Sequence, residues 1–324
     1  MRTHIRLAIL RATAVTALSL AAAAPTAFAE TTLNVGKAQA NADSIITVDV
    51  GVDHGFFQKH GLDLKILDFQ GGGKLVQALT AGSVDIGVAA GTQMSFVAKG
   101  APMKAVCEDA TSLPYFSIGV PYDSPIHSVD ELKGKKIGVS TVGSLTDWVA
   151  QELTRKKGWG PDGVTRVAVG GGITASTAAF RAHQIDAYVG GTTSFLVEED
   201  RKVARVLVPV SEFIGNTASG TIYASDHLMK TNPDALRAFL AAWIETTNFI
   251  LTNKEGTVKS WSKITHFPEH IMSKEYDIVR GMFNPTCRFD KESLANLQHS
   301  FVQLKLLDTE PDMSKLYTEA YLPK

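Results

Sequence analysis

GKKIGVSTVGSLTDWVAQEL, residues Gly134 to Leu153, is the stretch on which the reading of the fold turns. Lys136 to Val139 predict a short apolar strand, Ser140 to Gly143 a small polar turn, and the residues beyond it an amphipathic helix. Ser144 or Thr146 supplies a hydroxyl N-cap, and Asp147, three residues after Ser144, has the spacing of a capping box. The first N–H groups of such a helix lack intrahelical partners and the peptide dipoles sum to partial positive charge there. A carboxylate, sulfonate or phosphate is therefore accepted at this kind of loop. Taken alone, the same pattern is also the ordinary strand-to-helix turn of any α/β protein.

The chain repeats the device. Gly61 to Thr92 reads GLDLKILDFQGGGKLVQALTAGSVDIGVAAGT and Gly163 to Thr192 reads GVTRVAVGGGITASTAAFRAHQIDAYVGGT. Both run strand, glycine triad, helix, Gly-x-x-Asp or its like, strand, Gly-Thr. Gly71 to Gly73 answer Gly170 to Gly172, Asp85 answers Asp186, and Gly91-Thr92 answers Gly191-Thr192. Two α/β halves with glycine-rich loops at their strand ends predict a ligand cleft between them, since open α/β sheets bind outside the carboxyl ends of their strands.

The whole chain fits that picture. Its 324 residues suggest about two domains, and 44% hydrophobic with 20% charged residues is ordinary for a soluble globular protein. Met1 to Ala29 has a basic start at Arg2, Arg6 and Arg11, an apolar run from Ala12 to Ala24, and Ala27-Phe28-Ala29 before a cleavage point: a secretory signal peptide. The apolar run is too short to span a bilayer. Removing those three arginines from 32 basic residues, against 33 acidic ones, leaves a mature charge of −4, which does not attract nucleic acid. No later run is apolar enough for membrane insertion of the mature chain. Cys107 and Cys287 are the only cysteines; export permits a disulfide between them, while the apolar context MKAVCEDA suits a free buried thiol. The nine histidines show neither H-x-x-x-H nor H-E-x-x-H, so no metal site is expected.

Leu33 to Ala38 predicts the first mature strand, leading to a polar loop from Gln39 to Ser44. Leu62 to Phe69, Val84 to Ala89, Pro102 to Cys107, Leu113 to Val120 and Ala204 to Pro209 predict further strands. From Asn232 the character changes: Asn232 caps, Pro233 takes the first helical position, and Leu236, Phe239, Leu240, Trp243 and Ile244 recur at helical spacing. Trp243 and Trp261 are read as core residues rather than ligand-stacking rings.

The segments GFFQKHGLDLKI, QGGGKLVQALTAGSVDIGV, SVDELKGKKIGVSTVGS and NPDALRAFLAAW resemble the periplasmic solute-binding proteins of ABC importers, in the group that includes aliphatic-sulfonate, nitrate, taurine and thiamine-precursor binders. The resemblance covers essentially the whole mature chain. It implies an α/β, two-lobed periplasmic binding protein fold (type II), each lobe a mixed sheet flanked by helices, with two hinge crossovers. Lobe one would comprise 30–117 and 224–324, and lobe two 120–222. It implies a monomeric, non-enzymatic periplasmic receptor without cofactor or metal. The receptor would close on a small-molecule solute, a sulfonate, carboxylate or related anion, and serve an inner-membrane ABC permease. Site residues carried over are Gln39, Asn41, Gly71, Gly72, Thr92 and Gln93 from lobe one, and Thr141, Gly143, Ser144, Thr146, Gly171, Gly191 and Thr192 from lobe two. The loops hold few cations, with only Lys37 and Lys74 near them, whereas Asp43, Asp109 and Asp147 would suit an amine if they faced the cleft. Two alternatives stay open. One is an enzyme on the same scaffold, related to thiamine-pyrimidine synthases, although the cysteine-rich iron-linked motif of those enzymes has no counterpart here. The other is a ligand-sensing domain for a membrane sensor.

Overall fold

The computed structural model describes residues 30–39, 44–69, 71–140 and 144–324. The signal peptide expected over 1–29, and Asn41, Asp43, Thr141 and Gly143, lie outside the described residues.

Ten strands form two five-stranded sheets of the same design. The first contains β1 (Thr31–Lys37), β2 (Leu62–Asp68), β3 (Ile86–Ala89), β4 (Met103–Ala110) and β10 (Gly220–Ser225), in the order β2-β1-β3-β10-β4. The second contains β5 (Phe116–Pro121), β6 (Lys136–Val139), β7 (Thr165–Ala168), β8 (Ala187–Gly191) and β9 (Ala204–Pro209), in the order β7-β6-β8-β5-β9. In each, four strands run the same way and the fifth, arriving from the other sheet, runs antiparallel to both its neighbours. The central strands have the continuous apolar composition of a sheet covered on both faces: all four residues of β3 are buried.

The repeat has a physical basis in its aspartates. Asp85 accepts the backbone N–H of Asn34 at 2.9 Å, and Asp186 accepts that of Lys136 at 2.8 Å. Each carboxylate thus sits at the entry of a third strand and satisfies a backbone donor on the first strand of its sheet. Counting from these aspartates, Gly71 corresponds to Gly172, and each is the N-cap of its helix, Gly72–Thr80 and Ile173–Arg181. Gly91 likewise corresponds to Thr192. The glycine triads are therefore two residues, and the Gly-Thr pairs one residue, out of the equivalence that their letters suggest. Gly71 and Gly172 have φ of 119° and 85°, which explains the glycines.

The chain crosses between sheets twice, over 111–115 and 210–219. Phe116 and Ser117, placed in lobe one by the sequence, already pair with Gly191 and Gly190 in the second sheet. Gly220 to Ile222, placed in lobe two, pair with Ala110, Glu108 and Cys107 in the first. The apolar run Leu113 to Val120 concealed that join. The crossings bond to each other: Thr217 and Ser219 donate backbone N–H groups to Thr111 O and Ala110 O, and Ser219 Oγ donates to Ser112 O at 2.5 Å.

The first sheet packs on the helix Gly72–Thr80 through Leu75 and Leu79, and on the helix Pro233–Thr252 through Phe239, Leu240 and Trp243. That second helix begins as its sequence predicts, with Asn232 accepting Ala235 N–H and Pro233 next to it. The helices Lys254–Thr265 and Glu269–Val279 do not stay within one lobe. Trp261, Ile271, Met272 and Tyr276 share a core with Leu196 and Val197 of the second lobe's helix Thr192–Asp200. Cys107 and Cys287 are joined in a disulfide, which resolves the alternative left open by their sequence context.

Ser144, not Thr146, is the N-cap of the helix Leu145–Lys156 and accepts Asp147 N–H at 3.2 Å. Replacing Ser144 by alanine is expected to cost about 1 kcal/mol, read as a fall of about 2–4 °C in Tm; an unchanged Tm would show that the neighbouring hydroxyls replace the cap.

Candidate functional site

Both crossings run beneath a cleft whose centre is Tyr115. Its hydroxyl reaches Ser219 O at 3.5 Å, and Thr192 N–H donates to Tyr115 O at 2.8 Å. In the other lobe the matching donor is Gly91 N–H, bonded to Ala218 O at 3.0 Å. Each third strand thus ends on the crossing that enters or leaves the opposite sheet, which fixes the cleft floor to the hinge. A Cβ at Gly91 would collide with the Ala218 carbonyl, so glycine is needed for that close approach.

Three contiguous compartments surround Tyr115. The first, about 190 Å³, is apolar, walled by Gly91, Thr92, Leu145, Trp148, Leu297 and Leu304. The second, also about 190 Å³, lies among Gln39, Phe116, Gly191, Thr193, Trp261 and Glu275. The third, about 140 Å³, joins them through Gln39, Ser44, Gly72, Gln93, Leu145 and Ser219. The lobes meet on both flanks. Trp148 Nε1–H donates to Gln303 Oε1 at 2.9 Å on one, and the Thr193 hydroxyl donates to Glu275 on the other.

Of the sequence-derived site residues, Gln39, Gly72, Thr92, Gln93 and Gly191 line these compartments. Gly72 is packed against the Gln93 amide so closely that a Cβ would clash. Gly71 caps the adjoining helix without lining them. Ser144 and Thr146 bond each other and Ser140, with Thr146 Oγ1 accepting Ser140 N–H at 2.9 Å. Gly171 is exposed beside Ser140. Thr192 is fully buried: its hydroxyl donates to Pro114 O at 2.8 Å and bonds Ser117 Oγ at 2.7 Å, so its side chain ties the helix to the crossing rather than facing a ligand.

The acids named beforehand are placed differently. Asp147 pairs with Arg166 at 2.6 Å. Asp109 is buried at the end of β4 behind Ser44 and Gly220, and burial pushes its carboxyl well above the ordinary range. Lys37 is buried against Asp49 at 2.9 Å and Asp68 at 3.2 Å. Tyr115, Trp148, Ser219, Trp261 and Glu275 were not anticipated. Trp148 was accessible to sequence reasoning, since it lies one turn past Leu145 on the helix that opens at the cleft. Trp261 is a core residue, as its spacing predicts, yet it also forms a cleft wall. Glu275 carries no sequence signal, because its place depends on how the last helices cross to the second lobe. Among the described residues no cluster of three or more metal-ligating side chains occurs, and no helix is long and apolar enough to cross a membrane.

Residues 43–256 match the family described as NMT1/THI5 like. The 4-amino-5-hydroxymethyl-2-methylpyrimidine phosphate synthase THI11 of Saccharomyces cerevisiae is 25% identical over 291 residues, covering 83% of this chain and 81% of the yeast protein. Among solved structures, the periplasmic aliphatic sulphonate binding protein SsuA from Escherichia coli matches with a TM-score of 0.73 at 19% identity, over 89% of this chain and 92% of that one. The periplasmic nitrate-binding protein NrtA from Synechocystis PCC 6803 matches with a TM-score of 0.64 at 16% identity, over 90% and 86%. At those identities the structural likenesses speak for the fold, which is the two-lobed fold expected from the sequence. The family match spans well over half of the residues, and the chain belongs to the NMT1/THI5-like family.

Proposed function

We propose that this protein is an extracytoplasmic receptor that binds a small organic solute between its lobes, closes about its two crossings, and delivers the solute to the inner-membrane permease of an ABC importer. The observation that carries the reading is the set of compartments around Tyr115, walled by both lobes and floored by the hinge itself. A solute there touches both lobes only when they are closed, so it has the differential affinity that closure requires. Hinge closure around a ligand is an effect for which periplasmic binding proteins are a standing example. The disulfide supports an oxidising compartment, consistent with export. An anionic solute, expected from the resemblance, would depend on hydroxyls and helix N-termini, because among the described residues no lysine or arginine lines the compartments.

The similarity to the yeast synthase favours a second reading, an enzyme on this scaffold. Against it, both cysteines of the chain are spent in one disulfide, leaving no thiol for an iron-linked motif. Thermal shift and small-angle scattering of the mature protein against a broad solute panel test the choice. The receptor reading expects a solute that raises the midpoint with concentration, reduces the radius of gyration and is recovered unchanged. Steady product formation from a bound solute would overturn it.

A further inference from the structure

We infer that the solute of this cleft carries a positive charge, as a protonated amine or quaternary ammonium, seated beside Glu275. The inference rests on the receptor reading and concerns the chemical class of its ligand.

Among the described residues lining the three compartments, Glu275 is the only Lys, Arg, Asp or Glu. The internal residues outside the described ones, 40–43, 70 and 141–143, contain no lysine or arginine and one acid, Asp43. The bases nearest in sequence are Lys37, held by Asp49 and Asp68, and Lys74, an exposed residue that lines none of the compartments.

Glu275 is 2% exposed, and among the described residues it forms no ion pair; its partner is the Thr193 hydroxyl. The start of the helix Thr192–Asp200 lends partial positive charge. Burying an unbalanced carboxylate costs more than a helix terminus returns, so the helix compensates only part of it. A ligand cation would supply the rest.

The surrounding walls suit the same ligand. Tyr115, Phe116, Trp261 and Phe267 surround the compartment, and aromatic faces attract a desolvated ammonium through their quadrupoles. An oxyanion here would instead face a carboxylate of its own sign. Glu275 stands on a helix of the first lobe's chain segment and Thr193 on the second lobe's, so an ammonium seated beside their bond touches both lobes.

The test titrates the mature protein calorimetrically with benzylamine and benzyltrimethylammonium, and with benzoate and benzenesulfonate as anions of similar body. The cations are expected to bind at least tenfold more tightly than the anions. Glu275→Gln, which keeps the Thr193 bond, should abolish that preference while Tm stays within a few degrees. If the variant does not fold, the cation-to-anion ratio of the wild-type protein decides alone. Tighter binding of the anions, or a preference unchanged in Glu275→Gln, would overturn the charge assignment and leave the receptor reading standing. Binding of neither series at millimolar concentration also overturns the assignment. Failure of the broad panel to close the lobes would count separately against the receptor.

Discussion

Replacing Cys107 and Cys287 together by alanine is expected to destabilise the protein by about 3–5 kcal/mol, because the disulfide closes a loop whose ends are 180 residues apart. At about 2–4 °C per kcal/mol, Tm should fall by roughly 10 °C. The bond joins β4 to the segment before the helix Lys291–Gln303, and both sulfurs are fully buried. That segment is also held by Glu108 N–H to Cys287 O at 3.1 Å, by Asn284 N–H to Asp109 O at 2.9 Å, and by the Glu108 and Glu319 carboxylates, which accept Asp290 N–H at 2.6 Å and Phe289 N–H at 2.9 Å. Since Leu297 and Leu304 of this region wall the apolar compartment, loosening it should also weaken solute binding. Reduced wild-type protein should reproduce the variant. A Tm within 2 °C of the oxidised protein would mean that the last helices are held by packing alone.

The second large effect is a pH dependence centred on Glu108. Burial raises its carboxyl to about 7, with Asp290 and Glu319 adding like charge, while the Ser293 hydroxyl and the Asp290 N–H, at 2.6 Å, oppose the shift. The folded protein therefore holds this proton up to about pH 7, whereas the unfolded chain releases it near 4.5. Between those values the native state binds more protons, so stability falls as pH rises, by roughly 3 kcal/mol in all at about 1.4 kcal/mol per unit. Asp109, Asp49 and Glu198, also raised by burial, act with the same sign. Denaturant unfolding at pH 5 and pH 8 measures the total, and Glu108→Gln isolates the share of Glu108 by flattening the profile. Equal slopes in the two proteins would show that Glu108 stays ionised.

Much of the fold was legible because its signals are local. Strand β9, at Ala204 to Pro209, follows from its apolar run, and the cap at Asn232 with Pro233 follows from backbone donors that any helix start leaves open. The repeat was legible through Asp85 and Asp186, each fixed by one backbone N–H. The Gly-Thr alignment slipped by one residue because equivalence follows hydrogen bonding, where Gly91 and Thr192 play the same part, and not letter identity.

The sequence by itself determined two α/β halves and their strand-end loops, since alternation, glycine and capping chemistry act over a few residues; Gln39, Gly72, Thr92, Gln93 and Gly191, carried over from the family resemblance, line the compartments around Tyr115. Tertiary structure alone decided which charged side chains reach that cleft. Lys37 was withdrawn into ion pairs with Asp49 and Asp68, and Thr192 was turned into the hinge. Glu275 was brought to a cavity formed with Thr193, 82 residues away, because Trp261, Ile271 and Met272 bury their apolar surface against Leu196 and Val197 of the other lobe. Long-range burial of that kind is set by the shapes of assembled helices, and no window of the chain contains it.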